Sequence, residues 1–285
     1  MSELFYNARN LVVSNGFLRN PERYYLEEFY KRRPALNADL APSSADDGND
    51  GATAAQLAAM NAANKDFEVL GTNATSSSVS FSSTRAGINL TTATGGSDQV
   101  IILPHLDTNQ TAWSGIKFGT ENQVEWECAV SVADVANVCF WAGLKLTNTP
   151  VLATDANQAY FFFDTGTVAG GGSAMTSTTT LHFCYSVANT DYVTNLGITV
   201  GADTIYRLRI SIDNNRKISV FVNEVQYGLT TSASSSGATV SNETQKSAQL
   251  TNDIDFIPYV GVQQTTADAD TLTLYYQKIS RLLFE

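Results

Sequence analysis

The stretch that decides the fold is residues 206–222, which read YRLRISIDNNRKISVFV. Apolar residues take every second position on both sides of a central DNNR turn, at Tyr206, Leu208, Ile210, Ile212, Ile218, Val220 and Val222. Because successive side chains of a strand point to opposite faces, this period of two predicts two strands, each with one buried face. Asp and Asn tolerate the positive φ of a tight turn, so the segment is predicted to form an antiparallel hairpin.

The same signals recur from Phe67 onward. Residues 124–132 (VEWECAVSV) alternate in the same way, whereas residues 138–146 and 159–163 are apolar on both faces, as is typical of central strands. Further strands are predicted near residues 77–82, 86–91, 99–103, 180–186, 256–263 and 271–277. About ten strands without an intervening helical period predict a mainly β protein, an antiparallel jelly-roll β-sandwich.

Residues 1–66 have a different character. Pro21 followed by ERYYLEEFYKRR predicts a short helix that ends at Pro34, because proline suits a first helical turn and the acids precede the bases. A polar linker (36–51) and an Ala-rich segment (52–65), predicted as a second helix, follow. Helices this short are marginal alone, so the aromatic stripe of the first either contacts a partner or packs on its own body. We predict an N-terminal anchoring arm and linker, 1–66, helical or extended, and a sandwich domain, 67–285.

The charge distribution restricts the partners. The chain has 17 basic and 28 acidic residues, a net charge of −11, which argues against binding a nucleic-acid backbone. Six of the 17 basic residues lie within residues 1–40, which suits docking of the arm on an acidic surface, although chance clustering gives the same pattern. No apolar run approaches the roughly 20 residues of a membrane span. We expect a soluble protein made in a reducing cytosol, with neither nucleic-acid nor membrane partners.

The sequence contains few groups that could perform catalysis. Cys128, Cys139 and Cys184 lie in apolar strands without metal-ligand spacing, and are predicted to be buried. The two histidines, His105 and His182, are predicted to be structural, since no hydrolase or phosphate-binding motif accompanies them. We therefore expect no catalytic, cofactor or metal site and no enzymatic activity.

Two weaker signals leave alternatives open. Glu125 and Glu127 share one face of a predicted strand, at roughly 6–7 Å from the strand rise. They form either a glycosidase-like carboxylate pair or an ordinary polar outer face. Of the tryptophans, Trp126 and Trp141 are predicted to be core residues, while Trp113, in a Gly-flanked loop, is a candidate glycan contact.

From about residue 121 to the C-terminus, the order of features resembles the concanavalin-A-like jelly rolls of bacteriophage virion proteins. The resemblance rests on VEWECAVSV, FWAGLKL, YFFFD, the YRLRISIDNNRKISVFVN hairpin, FIPYVGVQ and the closing KISRLLFE. It implies a capsid decoration (cement) protein, a head fibre or a tail-fibre domain, usually trimeric, which assembles in the host cytoplasm and resides in the virion.

On this hypothesis the arm docks on the major capsid or tail protein and on sister subunits. The residues predicted to make these contacts are Phe5, Tyr6, Arg9, Phe17, Tyr24, Tyr25, Phe29, Arg32 and Arg33. The alternative function is a carbohydrate-binding tail-fibre or adhesin module, in which the same sandwich binds a host-surface glycan.

Overall fold

The fold was determined as a computed structural model, which describes residues 12–14, 17–19, 22–34, 36, 67–104, 118–145, 155–165, 175–266 and 268–283. Strands dominate these ranges, and a single 3-10 turn at Ser76–Ser78 is the helical element within them. In chain order the strands are β1 (Val12–Ser14), β2 (Phe17–Arg19), β3 (Arg23–Glu28), β4 (Phe67–Leu70), β5 (Val79–Phe81), β6 (Ile88–Thr91), β7 (Gln99–Pro104), β8 (Phe118–Gly119), β9 (Glu125–Val132), β10 (Val138–Lys145), β11 (Gln158–Asp164), β12 (Thr180–Val187), β13 (Thr190–Thr199), β14 (Tyr206–Ile212), β15 (Ile218–Val222), β16 (Val225–Tyr227), β17 (Ser234–Ala238), β18 (Asp255–Gln264) and β19 (Thr271–Leu282).

Two large sheets form the sandwich. The nine-stranded sheet has the order β17-β13-β12-β11-β10-β18-β7-β4, with β8 paired to β18. The eight-stranded sheet has the order β16-β15-β14-β9-β19-β6-β5, with β3 also paired to β19. Neighbouring strands are antiparallel except for the parallel pair β13 and β17. A separate hairpin pairs β1 with β2. The prediction of an antiparallel jelly-roll β-sandwich is confirmed.

Alternation along the strands determines what each face buries. In the eight-stranded sheet, Trp126, Leu208 and Ile279 belong to the core between the sheets and are fully buried. Residues next to them in sequence, such as Glu127 and Arg209, lie on the outer face and stay partly exposed. The predicted hairpin forms as β14 and β15, with Ile210 opposite Val220. This outer face carries the groove described below.

The central strands of the nine-stranded sheet are buried on both faces, as the sequence predicted for them. Every residue of β10 and β11 is buried. The second apolar cluster comprises Ile101, Leu103, Cys139, Trp141, Tyr160, Phe162, Cys184, Val193 and Tyr259. Gly261 is required beneath it, since a Cβ there would lie 2.4 Å from the Trp141 indole. The predicted burial of the three cysteines and of Trp126 and Trp141 is confirmed.

The predicted helix after Pro21 is wrong, because residues 23–28 form strand β3. It pairs antiparallel with the C-terminal half of β19, with Leu26 opposite Ile279. Leu26, Tyr30 and Leu36 are buried in the core between the sheets. The boundary at residue 66 therefore does not hold for this part of the predicted arm, which is built into the sandwich. Its aromatic residues suit a strand because one sheet face is core and the other lines a groove.

Two expectations concern residues beyond those described. The predicted helix at 52–65 and most of the linker at 36–51 lie outside the described ranges, although Leu36 forms an isolated bridge with Phe67. In the described part of the chain, no helix is long and apolar enough to cross a membrane.

Candidate functional site

A groove with a cavity volume of about 560 Å³ crosses the outer face of the eight-stranded sheet. Strands β3, β9, β14 and β19 supply most of its floor and walls, and the turn after β15 supplies one edge. The lining residues are Tyr25, Phe29, Glu125, Trp126, Glu127, Arg207, Arg209, Glu224, Tyr276, Lys278, Ile279 and Ser280. We refer to it below as the outer groove.

Strand register brings these residues together from distant parts of the sequence. Glu127 on β9 lies opposite Arg209 on β14 and opposite Lys278 on β19. One row further along, Glu125 lies opposite Ser280, which in turn lies opposite Tyr25 on β3. Side chains directly opposite each other on one face of a sheet are within contact distance. The floor is therefore a set of cross-strand rows, with acids in the middle and bases on both sides.

The charge of Glu127 is compensated by an ion pair and a hydrogen bond. Its carboxylate lies 3.0 Å from the Lys278 ammonium group and accepts a short hydrogen bond from the Tyr276 hydroxyl. The side chain of Glu127 is 13% exposed, so this ion pair is partly shielded from water. Burial and the adjacent Glu127 carboxylate raise the pKa of Tyr276, which keeps the phenol protonated as a hydrogen-bond donor. Glu127 thus has its acceptor capacity partly filled by the protein.

Glu125 has the opposite environment. It is half-buried in the groove floor, between Ser211 on β14 and Ser280 on β19. Within the described ranges its carboxylate makes no ion pair and accepts no hydrogen bond. An ionised carboxylate has roughly four acceptor positions. Glu125 therefore offers hydrogen-bond acceptors to a molecule that enters the groove.

The basic side of the groove is formed by β14 and the β15–β16 turn. Arg207 and Arg209 alternate on β14 and so share its outer face. Both pair with Glu224, at 3.8 and 3.7 Å respectively. The Arg209 guanidinium carbon also lies 3.7 Å from the centre of the Phe221 ring, a stacked cation–π contact that fixes its orientation.

The opposite side of the groove is aromatic. Phe29 and Tyr276 contact each other with ring centroids 5.7 Å apart, in a tilted arrangement. Tyr25 lies on the outer face of β3 opposite Ser280, two rows from these rings. Two of the three rings come from the segment predicted to be an arm. They are half-buried, so part of each ring surface faces the groove.

The other titratable groups are placed structurally. His182 is fully buried on β12, where it contacts the Thr176 hydroxyl at 3.3 Å and the Thr180 carbonyl at 3.0 Å, and burial lowers its pKa. Lys145 and Asp155 form a 3.3 Å ion pair that is 1% exposed on both sides. Across the described residues, no cluster of three or more His, Cys, Asp or Glu could hold a metal ion.

The structure separates the residues predicted to bind partners. Tyr25 and Phe29 line the groove, whereas Tyr24 packs partly against the core. Arg32 is exposed, and Arg33 donates a hydrogen bond to the Val79 carbonyl at 2.8 Å. Phe5, Tyr6, Arg9 and the candidate glycan contact Trp113 lie outside the described residues, as does the side chain of Phe17. Of the residues singled out in the sequence analysis, Tyr25, Phe29, Glu125, Trp126 and Glu127 line the outer groove.

The sequence analysis did not single out the basic residues of the groove, nor Tyr276. Their only signal is alternation. Arg207 and Arg209 occupy the polar positions of β14, and Tyr276 and Lys278 occupy those of β19. Polar outer positions are normal in a half-exposed sheet, so this pattern does not mark a site until the register is known.

Comparison with known proteins gives similarity in fold only. No protein-family model matches the sequence, and no curated protein matches it. Among solved structures, the chain is similar to alginate lyase A1-II′ (TM-score 0.44, 10% identity, 81% of this chain and 89% of that chain). It is also similar to a β-glucanase of Bacillus licheniformis (TM-score 0.44, 10% identity, 74% and 91%). A third is the carbohydrate recognition domain of Emp47p (TM-score 0.45, 8% identity, 76% and 88%).

These comparisons correct one expectation. Two of the three structures are enzymes that share the jelly-roll fold. The expectation that this protein is not an enzyme is therefore wrong, because enzymes share this fold and the lack of a recognisable motif does not exclude an activity. Nothing in these comparisons bears on a virion role, which stays a prediction.

Proposed function

We propose that this protein binds carbohydrate through the outer groove, as a recognition module of fibre or adhesin type on a virion. The observation that carries the proposal is the juxtaposition, in one open groove, of an aromatic wall (Tyr25, Phe29 and Tyr276) and the Glu125 carboxylate, which has no partner among the described residues. A sugar ring has an apolar face that packs on aromatic rings and hydroxyl groups that donate to carboxylates. The volume of about 560 Å³ falls within the range of roughly 300–1,000 Å³ typical of ligand sites.

The arrangement of the groove favours a polar, ring-shaped ligand over an apolar one. Tyr25 and Phe29 stand on and just after β3, Tyr276 stands on the adjacent β19, and Glu125 lies on β9 beyond them. Adjacent strands are about 4.8 Å apart, so a ring packed on the aromatic wall would place its hydroxyls over β19 and β9. Polar groups in a fixed position beside an apolar surface give both affinity and orientation.

A glycan array probed with the full chain, followed by calorimetry on the best ligand, tests the proposal. We expect Glu125→Gln and Phe29→Ala each to weaken binding by about tenfold, through a lost acceptor and a lost ring surface. The matched controls are Glu243→Gln, an exposed acid, and Phe81→Ala, a 45% exposed ring; neither residue lines the groove.

Equal binding by both groove variants and their controls would place the glycan elsewhere and overturn the proposal. Absence of any signal on the array would overturn it too. Phe29→Ala removes packing as well as ligand contact, so Glu125→Gln, which preserves the side-chain shape, is the decisive variant.

The virion location and a homotrimeric assembly are proposals that rest on the sequence resemblance. The integration of β3 into the sandwich limits which arm residues can dock on a capsid or tail protein. Of those predicted, Arg32 is exposed, whereas Tyr24 and Arg33 are engaged within the chain. Purified virions probed with an antibody against this chain would test the location.

Glycoside cleavage in the same groove is the second candidate, favoured by two carboxylates on one face of β9. The strand rise places the Cα atoms of these two residues roughly 6–7 Å apart, which is compatible with the wider carboxyl spacing of an inverting hydrolase, in which water enters between acid and base. In this step Glu127 would take a proton from water, while Glu125, which would have to enter the step protonated, gives its proton to the leaving oxygen. The water oxygen would bond to the anomeric carbon as its glycosidic bond breaks.

A reducing-end assay on the glycans bound in the array tests this candidate. We expect Glu125→Gln and Glu127→Gln each to lower turnover by about a hundredfold or more, as loss of a general acid or base does. Glycans that bind but are never cleaved would eliminate cleavage and leave the binding proposal intact.

A further inference from the structure

The basic side of the outer groove has more hydrogen-bond donors than the protein itself uses. We propose that the glycan carries the carboxylate of an acidic sugar, which binds Arg207 and Arg209 in place of Glu224. This inference rests on the proposed function, because it names the ligand class for the same groove. In the absence of ligand, Glu224 acts as an intramolecular competitor for the two arginines.

The two guanidinium groups are incompletely satisfied. Their nitrogen atoms lie 3.8 Å (Arg207) and 3.7 Å (Arg209) from the Glu224 carboxylate oxygens. A close charge-assisted bond from arginine to a carboxylate is about 2.7–2.9 Å long. Neither guanidinium donates a hydrogen bond to any residue in the described ranges. Each carries five N–H donors, so a ligand carboxylate can form the close, bidentate contacts that Glu224 does not form.

Glu224 occupies a position from which it is easily displaced. It lies in the two-residue turn between β15 and β16, where Asn223 and Glu224 both have positive φ, 50° and 69°. Its side chain is 60% exposed, so water can solvate the carboxylate as soon as it leaves the arginines. Exposed ion pairs contribute little to stability because solvent competes for both charges.

Arg209 is oriented in advance for such a ligand. Its guanidinium stacks on Phe221 at 3.7 Å and is 29% exposed, in contrast to 55% for Arg207. A planar group already held in one orientation loses little freedom when it binds a carboxylate. The two arginines are alternate residues of one strand, so their Cα atoms are about 7 Å apart. Both long side chains can therefore reach the same ligand group.

The surrounding charges limit how acidic the ligand can be. Lys278 is committed to Glu127, and Glu125, one row further along β9, has no ion-pair partner among the described residues. The whole chain carries a net charge of −11, which repels a densely charged polyanion at long range. The groove therefore suits a glycan with isolated carboxylates among neutral sugars, whose hydroxyls contact Glu125.

The test uses an array printed with matched oligosaccharide pairs, of the same length and linkage, in which one member has a uronic acid in place of a neutral sugar. We expect the native chain to bind the acidic member about tenfold more tightly. Glu224→Gln should raise the affinity for acidic members by about three- to tenfold and leave neutral members unchanged, because the competitor is gone. Arg209→Gln should abolish the preference, and Glu243→Gln, outside the groove, should change neither affinity.

The outcomes separate the two proposals. Equal affinity for both members of each pair, or no gain with Glu224→Gln, overturns the acidic-sugar inference while glycan binding stands. No binding to any printed sugar overturns the proposed function itself.

Discussion

Replacing Asp155 with asparagine is expected to destabilise the protein by about 3–5 kcal/mol. Asp155 lies 3.3 Å from the Lys145 ammonium group, and both side chains are 1% exposed. The ammonium group also lies 5.3 and 5.7 Å from the centres of the Tyr160 and Tyr259 rings. Rings attract the cation but cannot replace a carboxylate, so the variant would leave a buried charge without its counter-ion.

Urea denaturation at pH 7 measures this effect. The matched control is Asp203→Asn, which breaks the Arg85–Asp203 pair, 3.1 Å long but 40% and 60% exposed. We expect the control to cost less than about 1 kcal/mol, as for other exposed pairs. The double variant Lys145→Met/Asp155→Leu should recover most of the lost stability, since apolar side chains of similar size need no counter-ion. If Asp155→Asn cost no more than Asp203→Asn, the buried pair would not be desolvated as described.

The pH dependence gives a second readout of the same pair. Burial lowers the pKa of Lys145, while the Asp155 carboxylate opposes this shift. A folded-state pKa below the unfolded value means that the unfolded chain binds more protons, so stability rises as pH increases towards the unfolded pKa of about 10.4. Without Asp155 the pKa falls further and Lys145 discharges more readily. The stability gap between variant and native chain should therefore be narrower at pH 10 than at pH 7.

The sheets were largely predictable because their signal is local. β14 and β15 follow from the alternation on both sides of the DNNR turn, and β10 and β11 from runs that are apolar at every position. β13 and β17 were not predicted. β17 is SSSGA, a sequence without strand propensity, and it becomes a strand only because β13 offers an edge for parallel pairing. Pairing partners distant in sequence decide such elements.

The groove was predictable only in part, for the same reason. The alternation of β9 showed that Glu125 and Glu127 share a face. It could not show that Lys278 and Arg209 flank Glu127, because that depends on the register of β19 and β14 against β9. Register is fixed by the buried face of each strand, which packs against residues throughout the chain. The chemistry of the groove therefore emerges only after the sandwich has formed.

β3 is the clearest case in which local pattern and tertiary structure disagree. Over residues 25–29, the pattern of Tyr25, Leu26 and Phe29 fits a helical stripe as well as a two-faced strand. Pairing with β19 decides between them, because it satisfies the backbone of the last strand and buries Leu26. The helix prediction failed because it assigned all the aromatic residues to one surface, whereas a strand divides them between its two faces.

Replacing Tyr30 with alanine tests whether this segment belongs to the sandwich, and we expect a loss of about 3–5 kcal/mol, as for other large buried rings. Tyr30 is fully buried, its ring lies 5.8 Å from the Phe67 ring, and its hydroxyl accepts a 2.6 Å hydrogen bond from the Gln277 side chain. Its φ is 42°, a backbone conformation that is as unfavourable for alanine as for tyrosine. The change in the free energy of unfolding therefore measures the contribution of the ring.

Two further variants define the cause of that loss, again by urea denaturation. Tyr30→Phe keeps the packing and loses only the hydrogen bond, and should cost about 1 kcal/mol. Lys31→Ala, at the exposed neighbouring position, should stay within about 0.5 kcal/mol of the native chain. An arm that gains order only on a partner would make all three variants equally stable in the isolated protein. A large and graded loss would instead mean that residues 22–34 fold with the body, and that the aromatic wall of the groove is present before any partner or ligand binds.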